Sequence, residues 1–350
     1  MKKMEISSEA IAKLAGVSRS TVSRVINNYT NVPEKTREKV MKVIQDYNYY
    51  PNLSAQVLAG KKTRTIGLFF IDAGHVAGDS LSNMMITSII EYASSFGYYV
   101  LTSIIRNPQD PKQELSMKEP FYQRRIDGGI FIGAANHEPF IEELVAEGYM
   151  VAVFDQVLEG HEEPNRIIVN LDYEYSVSAA VNYLVGLHHQ RIAMINGDMS
   201  RYAGPARYQA FVHAMEHHGL RVEDKWVLKG DFNEESGYQA GLRLAADLGP
   251  SQSEWPTAIV AANDSVAFGA IRALQEAGIQ VPGDISVIGF DDHMFSARFQ
   301  PSLTTFKMDF DAMMRNLTQL LITHIENGSK EFSKVLIQSE LVVRESCKKL

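Results

Sequence analysis

One cysteine, Cys347, stands in 350 residues. A lone thiol closes no intramolecular disulfide and forms no CxxC site, so a disulfide scaffold and a cysteine metal or redox centre are both excluded. Long apolar runs are missing as well. The longest, near Gly128 to Ala135, is about eight residues, against the roughly 18 that a membrane span requires. No apolar stretch comes after Met1-Lys2-Lys3, so neither membrane nor export is expected, and the expected location is cytoplasmic. No GxGxxG, P-loop, GxSxG or HExxH spacing occurs, which removes the sequence support for the enzymes those motifs mark. His213 and His217 make one i, i+4 pair, which reads as surface histidines on an amphipathic helix in preference to a metal site. No catalytic residue, metal or cofactor is expected.

The chain has an ordinary globular composition and is too long for a single core. The net charge of −8 is unevenly spread. Residues 1 to 62 hold eleven bases against five acids, a local balance of +6, and the rest therefore carries −14. A basic head on an acidic body lets the head meet phosphates while the body is repelled by them.

The head reads as short helices. Ser7 suits an N-cap, Ile11, Leu14 and Ala15 share a face, and Gly16 ends the first helix. Ser18 is a second cap, opening Arg19-Ser20-Thr21-Val22-Ser23-Arg24-Val25-Ile26-Asn27, whose Val22, Val25 and Ile26 point inward and whose other face is polar. Two helices about a glycine turn, the second starting with Arg, Ser and Thr, form a helix-turn-helix, which places side chains against base edges in the major groove. Pro33 begins a third helix at its first position, with Val40, Val43 and Ile44 closing a small core. Pro51 is a helix breaker, and beyond it Asn52 to Gly60 has the length of two helical turns, too short to persist alone.

After Lys62 apolar runs alternate with helical stretches, the grammar of a parallel sheet. Strands are expected at Thr65 to Phe70, Tyr98 to Ile104, Asp127 to Ile132 and Tyr149 to Phe154. The series then restarts at Arg191 to Asn196, Lys225 to Gly230, Ala258 to Ala261 and Ile285 to Gly289. Two such halves predict two lobes with a ligand cleft beyond the carboxyl ends of the strands. Asp155, Asn263, Asp264, Asp291 and Asp292 come just after strand ends, and Arg207 opens a helix. Each alone fits a helix cap or a surface charge. Together they form a set of carboxylates, amide and guanidinium suited to a polyhydroxylated ligand.

Residues 11 to 27, IAKLAGVSRSTVSRVIN, resemble the signature of the lactose/galactose repressor family, and YYPNLSAQVLAGKKT is similar to that family's hinge helix. In the body ARYQAF, GDFNEESGYQA, AIVAANDSVAFGAI, ISVIGFDD and PSLTTFKMDF resemble its later motifs. The resemblance implies an N-terminal all-α helix-turn-helix head on a two-lobed α/β body of periplasmic-binding-protein-like parallel sheets. It implies that Arg19 and Ser20 read bases and that Ser18, Thr21, Ser23, Arg24, Asn27 and Tyr49 hold phosphates or neighbouring bases. Leu58 would be a wedge opening a base step, with Ala55 beside it. Arg207, Asn263 and Asp291 would bind an effector, Asp155 would close from the other lobe, Phe232 would stack on it and Phe310 would pack nearby. Arg201 occupies a position that binds effector in purine-responsive members.

The expectation is a ligand-responsive transcriptional regulator that represses carbohydrate-utilisation genes. It would bind a pseudo-palindromic double-stranded operator as a homodimer and take a sugar between its lobes. A purine effector, a phosphorylated carrier protein as co-regulator, and a ligand receptor without gene control are the alternatives. Expected domains are 1–50 for the helix-turn-helix, 51–63 for hinge helix and linker, 64–169 with 302–333 for the first lobe, and 170–301 with 334–350 for the second.

Overall fold

A computed structural model describes residues 6–50, 57, 60–71, 76, 80–156, 159–160, 162–249 and 251–350. Contacts divide the chain into two units, Met1–Thr63 and Arg64–Leu350.

In the first unit, α1 (Ser8–Ala15) is capped by Ser7, whose hydroxyl accepts from the Ala10 N–H at 3.2 Å. It ends at Gly16, where φ of 61° turns the N–H back onto the Ala12 and Lys13 carbonyls. α2 (Arg19–Ile26) repeats the device, the Ser18 hydroxyl accepting from the Thr21 N–H at 3.1 Å. α3 (Glu34–Asp46) starts one residue later than expected, because Pro33 at ψ 140° is still extended and stands as the cap. Ile11, Ala12, Ala15, Val22, Val25 and Val40 are buried between the helices, with Ile26, Val43 and Ile44 packed at the margin. Leu14, expected inside, is 48% exposed. The small side chains of Ala12 and Ala15 let the neighbouring helices approach on that flank, which centres the buried stripe away from position 14. The expected hinge positions Ala55 and Leu58 lie outside the described residues.

The second unit opens with β1 (Thr65–Ile71), α4 (Ser80–Ser95), β2 (Tyr99–Ile105), α5 (Pro111–Tyr122), β3 (Gly128–Ile132), α6 (Pro139–Ala146), β4 (Val151–Phe154) and β5 (Arg166–Leu171). A second series continues with α7 (Tyr173–Gly186), β6 (Ile192–Ile195), α8 (Ala203–His217), β7 (Val227–Leu228), α9 (Glu234–Asp247), β8 (Ala258–Ala261), α10 (Asp264–Glu276), β9 (Ser286–Asp291) and β10 (Thr304–Lys307). The chain closes with α11 (Phe310–Asn327), β11 (Ser333–Ile337) and β12 (Glu340–Val342).

These strands make two six-stranded sheets, ordered β11-β5-β4-β3-β1-β2 and β12-β10-β9-β8-β6-β7. All neighbours pair in parallel except β10 with β12. β1, β3, β4 and β8 are almost wholly buried apolar runs, as strands covered on both faces must be, whereas β2 at the edge alternates in exposure. The expected strand at Lys225 to Gly230 shrinks to β7 behind a 3-10 turn at Asp224–Trp226.

Sheet membership moves three expected boundaries, the first because β5 keeps the chain in the first sheet through Leu171, past the expected 169. β10 pairs with β9 and so belongs to the second lobe, and the chain returns to the first lobe only between Lys307 and Phe310 instead of at 302. β11 pairs with β5 through Ile337, beyond the expected exit at 333. Runs of four or five residues carry too little periodicity to say which sheet takes them. Among the described residues no helix is long and apolar enough to cross a membrane.

Candidate functional site

The exposed face of α2 is polar. Ser18, Arg19, Ser20, Ser23 and Arg24 are exposed, Thr21 and Asn27 are half-buried, and Val22 and Val25 anchor the opposite face. Arg19 Nε donates to Ser8 Oγ at 3.1 Å, tying the first turn of α2 to the first turn of α1. Ser18 Oγ caps the helix and also meets Ser20 Oγ at 2.7 Å and Thr21 Oγ1 at 2.9 Å. Asn27 Nδ2 donates to Ser23 Oγ at 3.3 Å, and Lys61 Nζ donates to Asn27. Arg37 reaches back to the Tyr29 carbonyl at 2.6 Å and fixes the loop before α3. Tyr49 packs at the edge of the head's core. A rigid helix with cationic and hydroxyl side chains outward is able to enter a major groove and to offer bidentate donors to a guanine edge.

In the second unit the polar residues gather beyond the carboxyl ends of both sheets. Asp155 comes directly after β4 with a left-handed φ of 59°. One carboxylate oxygen accepts from the Tyr173 hydroxyl, and the other, Oδ1, is buried with no hydrogen-bond partner among the described residues. Burial pushes the Asp155 carboxyl up to about 6, against the opposing pull of the Tyr173 hydroxyl, the Arg207 guanidinium and the Leu171 N–H. Tyr173 is driven well above its ordinary value by burial and by the Asp155 carboxylate.

Arg207, on α8, is 3% exposed. Its guanidinium carbon stands 4.6 Å from the centre of the Tyr173 ring, 5.1 Å from that of Phe290 and 5.7 Å from that of Phe232. Its Nε and Nη1 have no hydrogen-bond partner among the described residues. Phe232, at φ 49°, brings the tip of its ring against Gly197, where a Cβ would stand 2.0 Å from Phe232 Cζ; only glycine admits the ring. Asn196 beside it donates to the Gly204 carbonyl at 2.9 Å and leaves its own oxygen buried without a partner. The Asn136 oxygen, from the first lobe, is likewise buried and unsatisfied. Buried polar atoms are nearly always hydrogen-bonded, so these five atoms on four residues, with no partner among the described residues, leave room for a hydrogen-bonding guest, although Gln156 Nε2, Arg166 Nε and Thr318 Oγ1 share that condition elsewhere.

The structure brings Asp155, Arg207 and Phe232 together. Asn263 serves as the cap of α10, accepting from the Val266 N–H at 2.9 Å, and its amide donates to the Phe232 carbonyl at 2.9 Å, so it positions the aromatic wall. Asp291 ends β9 at φ 106°, and Asp292 is paired with Arg344 at 2.6 Å. Arg201 pairs with Asp198 at 3.4 Å, and its Nη1 stands 3.5 Å from where a Cβ on Gly133 would be, so it spans toward the first lobe. Phe310 is buried in the apolar core at the start of α11. Asp264 is fully buried beneath Gly289 and accepts from Ser296 Oγ at 2.6 Å, Thr305 Oγ1 at 2.6 Å and the His293 N–H at 2.8 Å; burial raises it to about 7 against those three donors. It staples the loop after β9 to α10. Tyr173, Tyr202, Asn196 and Asn136 are not among the residues expected from sequence. Tyr173 lies just past β5, a strand that Arg166 and Asn170 hide from apolar patterning. His213 and His218 meet Glu174 and Asn182 at the surface, and no cluster among the described residues could hold a metal ion.

Two family models match the chain: bacterial regulatory proteins of the lacI family over residues 9–52, and the periplasmic binding protein-like domain over residues 181–347. The transcriptional regulator DegA of Bacillus subtilis is 34% identical, covering 96% of both chains. The transcriptional repressor PurR of Haemophilus influenzae is 31% identical over 97% of this chain and 98% of its own. Among solved structures, the Lac repressor dimer bound to operator and the anti-inducer ONPF has a TM-score of 0.78 at 28% identity, covering 98% of this chain and 99% of that one. The complex of the regulator CelR with cellobiose has a TM-score of 0.73 at 26% identity, covering 97% and 99%.

Proposed function

Since this chain belongs to the lacI family of bacterial regulatory proteins and is a DNA-binding transcriptional regulator, we propose that it represses carbohydrate-utilisation genes in the cytoplasm. A sugar held between its two lobes would set its operator affinity. The observation that carries this reading is the set of buried atoms beyond the strand ends with no hydrogen-bond partner among the described residues: Asp155 Oδ1, Arg207 Nε and Nη1, and the oxygens of Asn196 and Asn136. Sugar hydroxyls both donate and accept, and so complement carboxylate, amide and guanidinium together, while the half-buried Phe232 is the ring of this wall able to meet the sugar's apolar side. A ligand lacking one hydroxyl would leave a buried group unpaired, which is the physical basis of epimer selection.

In the head, Arg19 and Ser20 would read base edges. Ser18, Thr21, Ser23, Arg24, Asn27 and Tyr49 would hold phosphates or neighbouring bases, Ser18 while also capping α2. A homodimer places two heads on a pseudo-palindrome and multiplies their discrimination. Ligand closing the lobes would bias the hinge segments with a coupling of about 1 to 3 kcal/mol, roughly 5- to 150-fold in operator affinity. A purine is the second reading, favoured by Arg201 leaning toward the first lobe beside Gly133.

The test is thermal denaturation of the full chain with neutral sugars, sugar phosphates and purines. A ligand at about 100 times its dissociation constant adds about 2.7 kcal/mol of stability. Stabilisation by sugars alone, with a matching change in operator affinity, is the expected result. Stabilisation by purines alone would replace the reading, and silence throughout would shift it to a protein co-regulator.

A further inference from the structure

Asp155 takes a left-handed backbone conformation, which is unfavourable for a residue with a side chain and persists where surrounding contacts hold it. Those contacts run away from the cleft. The next residue, Gln156, is gripped at both backbone groups by one side chain: its N–H donates to Asn170 Oδ1 at 3.0 Å, and its carbonyl accepts from Asn170 Nδ2 at 2.8 Å. The Gln156 side chain turns along the sheet, and its Oε1 accepts from Arg166 Nη1 at 2.8 Å. Arg166 is completely buried and is held in turn by Glu142, with Nη2 to Oε2 at 2.5 Å, and by Glu163 at 3.2 Å. The two glutamates are partly exposed, beside a surface pocket of about 270 Å³ that they line with Asn165.

A fully buried arginine on a strand is expensive, and sheets fill such positions with apolar residues unless the charge has a task. Here the strand β5 otherwise reads Ile167, Ile168, Val169 and Leu171, so Arg166 and Asn170 are its two polar interruptions. Both serve the residue beside Asp155.

We propose that Asn170, Gln156 and Arg166 form a buried polar brace that holds the Asp155 carboxylate in the cleft and thereby sets how tightly the cleft grips a ligand's hydroxyls. The three are positioning residues, and their effect on ligand rests on the reading of the cleft given above. With the brace intact, Asp155 presents an unsatisfied oxygen. With the brace broken, φ relaxes and the carboxylate swings toward water. The titratable and charged groups facing it are Tyr173, Tyr202 and Arg207.

The test uses the ligand-free full chain, labelled with ¹³C at aspartate carboxyls and titrated by NMR, the Asp155 signal being the one missing from Asp155→Asn. In the parent its midpoint lies above the ordinary aspartate range. In Gln156→Met, which keeps the volume, and in Asn170→Ser, the midpoint falls by about one unit or more, because the released carboxylate regains water. A lower melting temperature with an unmoved midpoint would overturn the brace, since lost packing alone gives that pattern. Should Asn170→Ser fail to fold, Glu142→Gln at the partly exposed end moves the midpoint the same way by less, and no movement in it or in Gln156→Met overturns the proposal. Cellobiose, as a probe sugar, should bind these variants about tenfold more weakly than the parent wherever the parent binds it. Because the midpoint is read without any sugar, a parent that binds none counts against the cleft reading alone.

Discussion

The head and the cleft carry their working groups in opposite ways. In the head, Arg19, Ser20, Ser23 and Arg24 are exposed, and the residues around them are hydrogen-bonded to near neighbours along the chain. In the cleft, Arg207 and Asn196 are buried, and atoms on both, with Asp155 Oδ1, have no hydrogen-bond partner among the described residues. A surface that meets a polyanion can stay solvated, because counterion release and long-range attraction supply its affinity. A surface that must tell one small neutral molecule from another has to desolvate its donors and acceptors in advance, and lets the guest satisfy them. On the proposed reading, one chain would meet a large ligand by exposure and a small one by unsatisfied burial.

If that contrast is right, Arg207→Met should produce the largest single effect. It removes two unsatisfied buried donors, so sugar affinity should fall at least a hundredfold, about 3 kcal/mol or more, by titration calorimetry. Methionine fills the space without a charge to desolvate, so the ligand-free melting temperature should hold or rise. A matching loss of operator affinity without ligand would erase the distinction between the two regions. The converse substitution, Arg19→Ala, should weaken specific operator binding by about 1 to 3 kcal/mol in fluorescence anisotropy and flatten preference at the base it reads. Its side chain is exposed and, among the described residues, hydrogen-bonds Ser8, so sugar affinity and melting temperature should be unchanged.

The pH dependence sharpens the contrast by its sign. Asp155 is raised from 3.8 to about 6 by burial, so its contribution to stability is fully present below about 3.8 and is lost as pH rises through about 6. Asp264, raised to about 7, slopes the same way over a wider window. Ligand binding should slope the other way: ionised Asp155 accepts hydroxyls more strongly, so sugar affinity should fall about tenfold between pH 7 and pH 5. Calorimetry across that range should show the slope in the parent and a flat profile in Asp155→Asn. Equal slopes in both would place the titrating group elsewhere.

The same contrast governs how much of each site is legible in the sequence. The head's site is contiguous, and caps, glycine turn and apolar stripe all fall within residues 7 to 27, so local chemistry locates it; only Leu14 and the start of α3 depart from expectation, where packing decides. The cleft is assembled from strand ends far apart in sequence. Asp155, Arg207 and Phe232 are legible through those ends and the family resemblance. Tyr173, Asn170 and Gln156 are hidden because β5, begun by a buried arginine and interrupted by an asparagine, does not read as an apolar strand. Asn263 also caps α10 and holds the Phe232 carbonyl while its amide keeps a further N–H and a further lone pair, a double use that spacing cannot express.

The smallest expected effect tests whether the head's polar groups are free for DNA or already committed to the fold. Ser18 Oγ accepts from the Thr21 N–H and so satisfies one of the first orphan donors of α2, the helix that would enter the groove. Ser18→Ala should therefore cost the head about 1 kcal/mol, while Ser18→Asn, another capping residue, should cost far less. Hydrogen exchange at the α2 amides should rise about fivefold in the alanine variant with protection in the second unit unchanged, because the two units are separate cores. Operator affinity should drop by no more than that fraction. A much larger loss of operator affinity in Ser18→Asn, with α2 amides still protected, would show that the hydroxyl itself meets phosphate and that even a capping atom in the head is held ready for its partner.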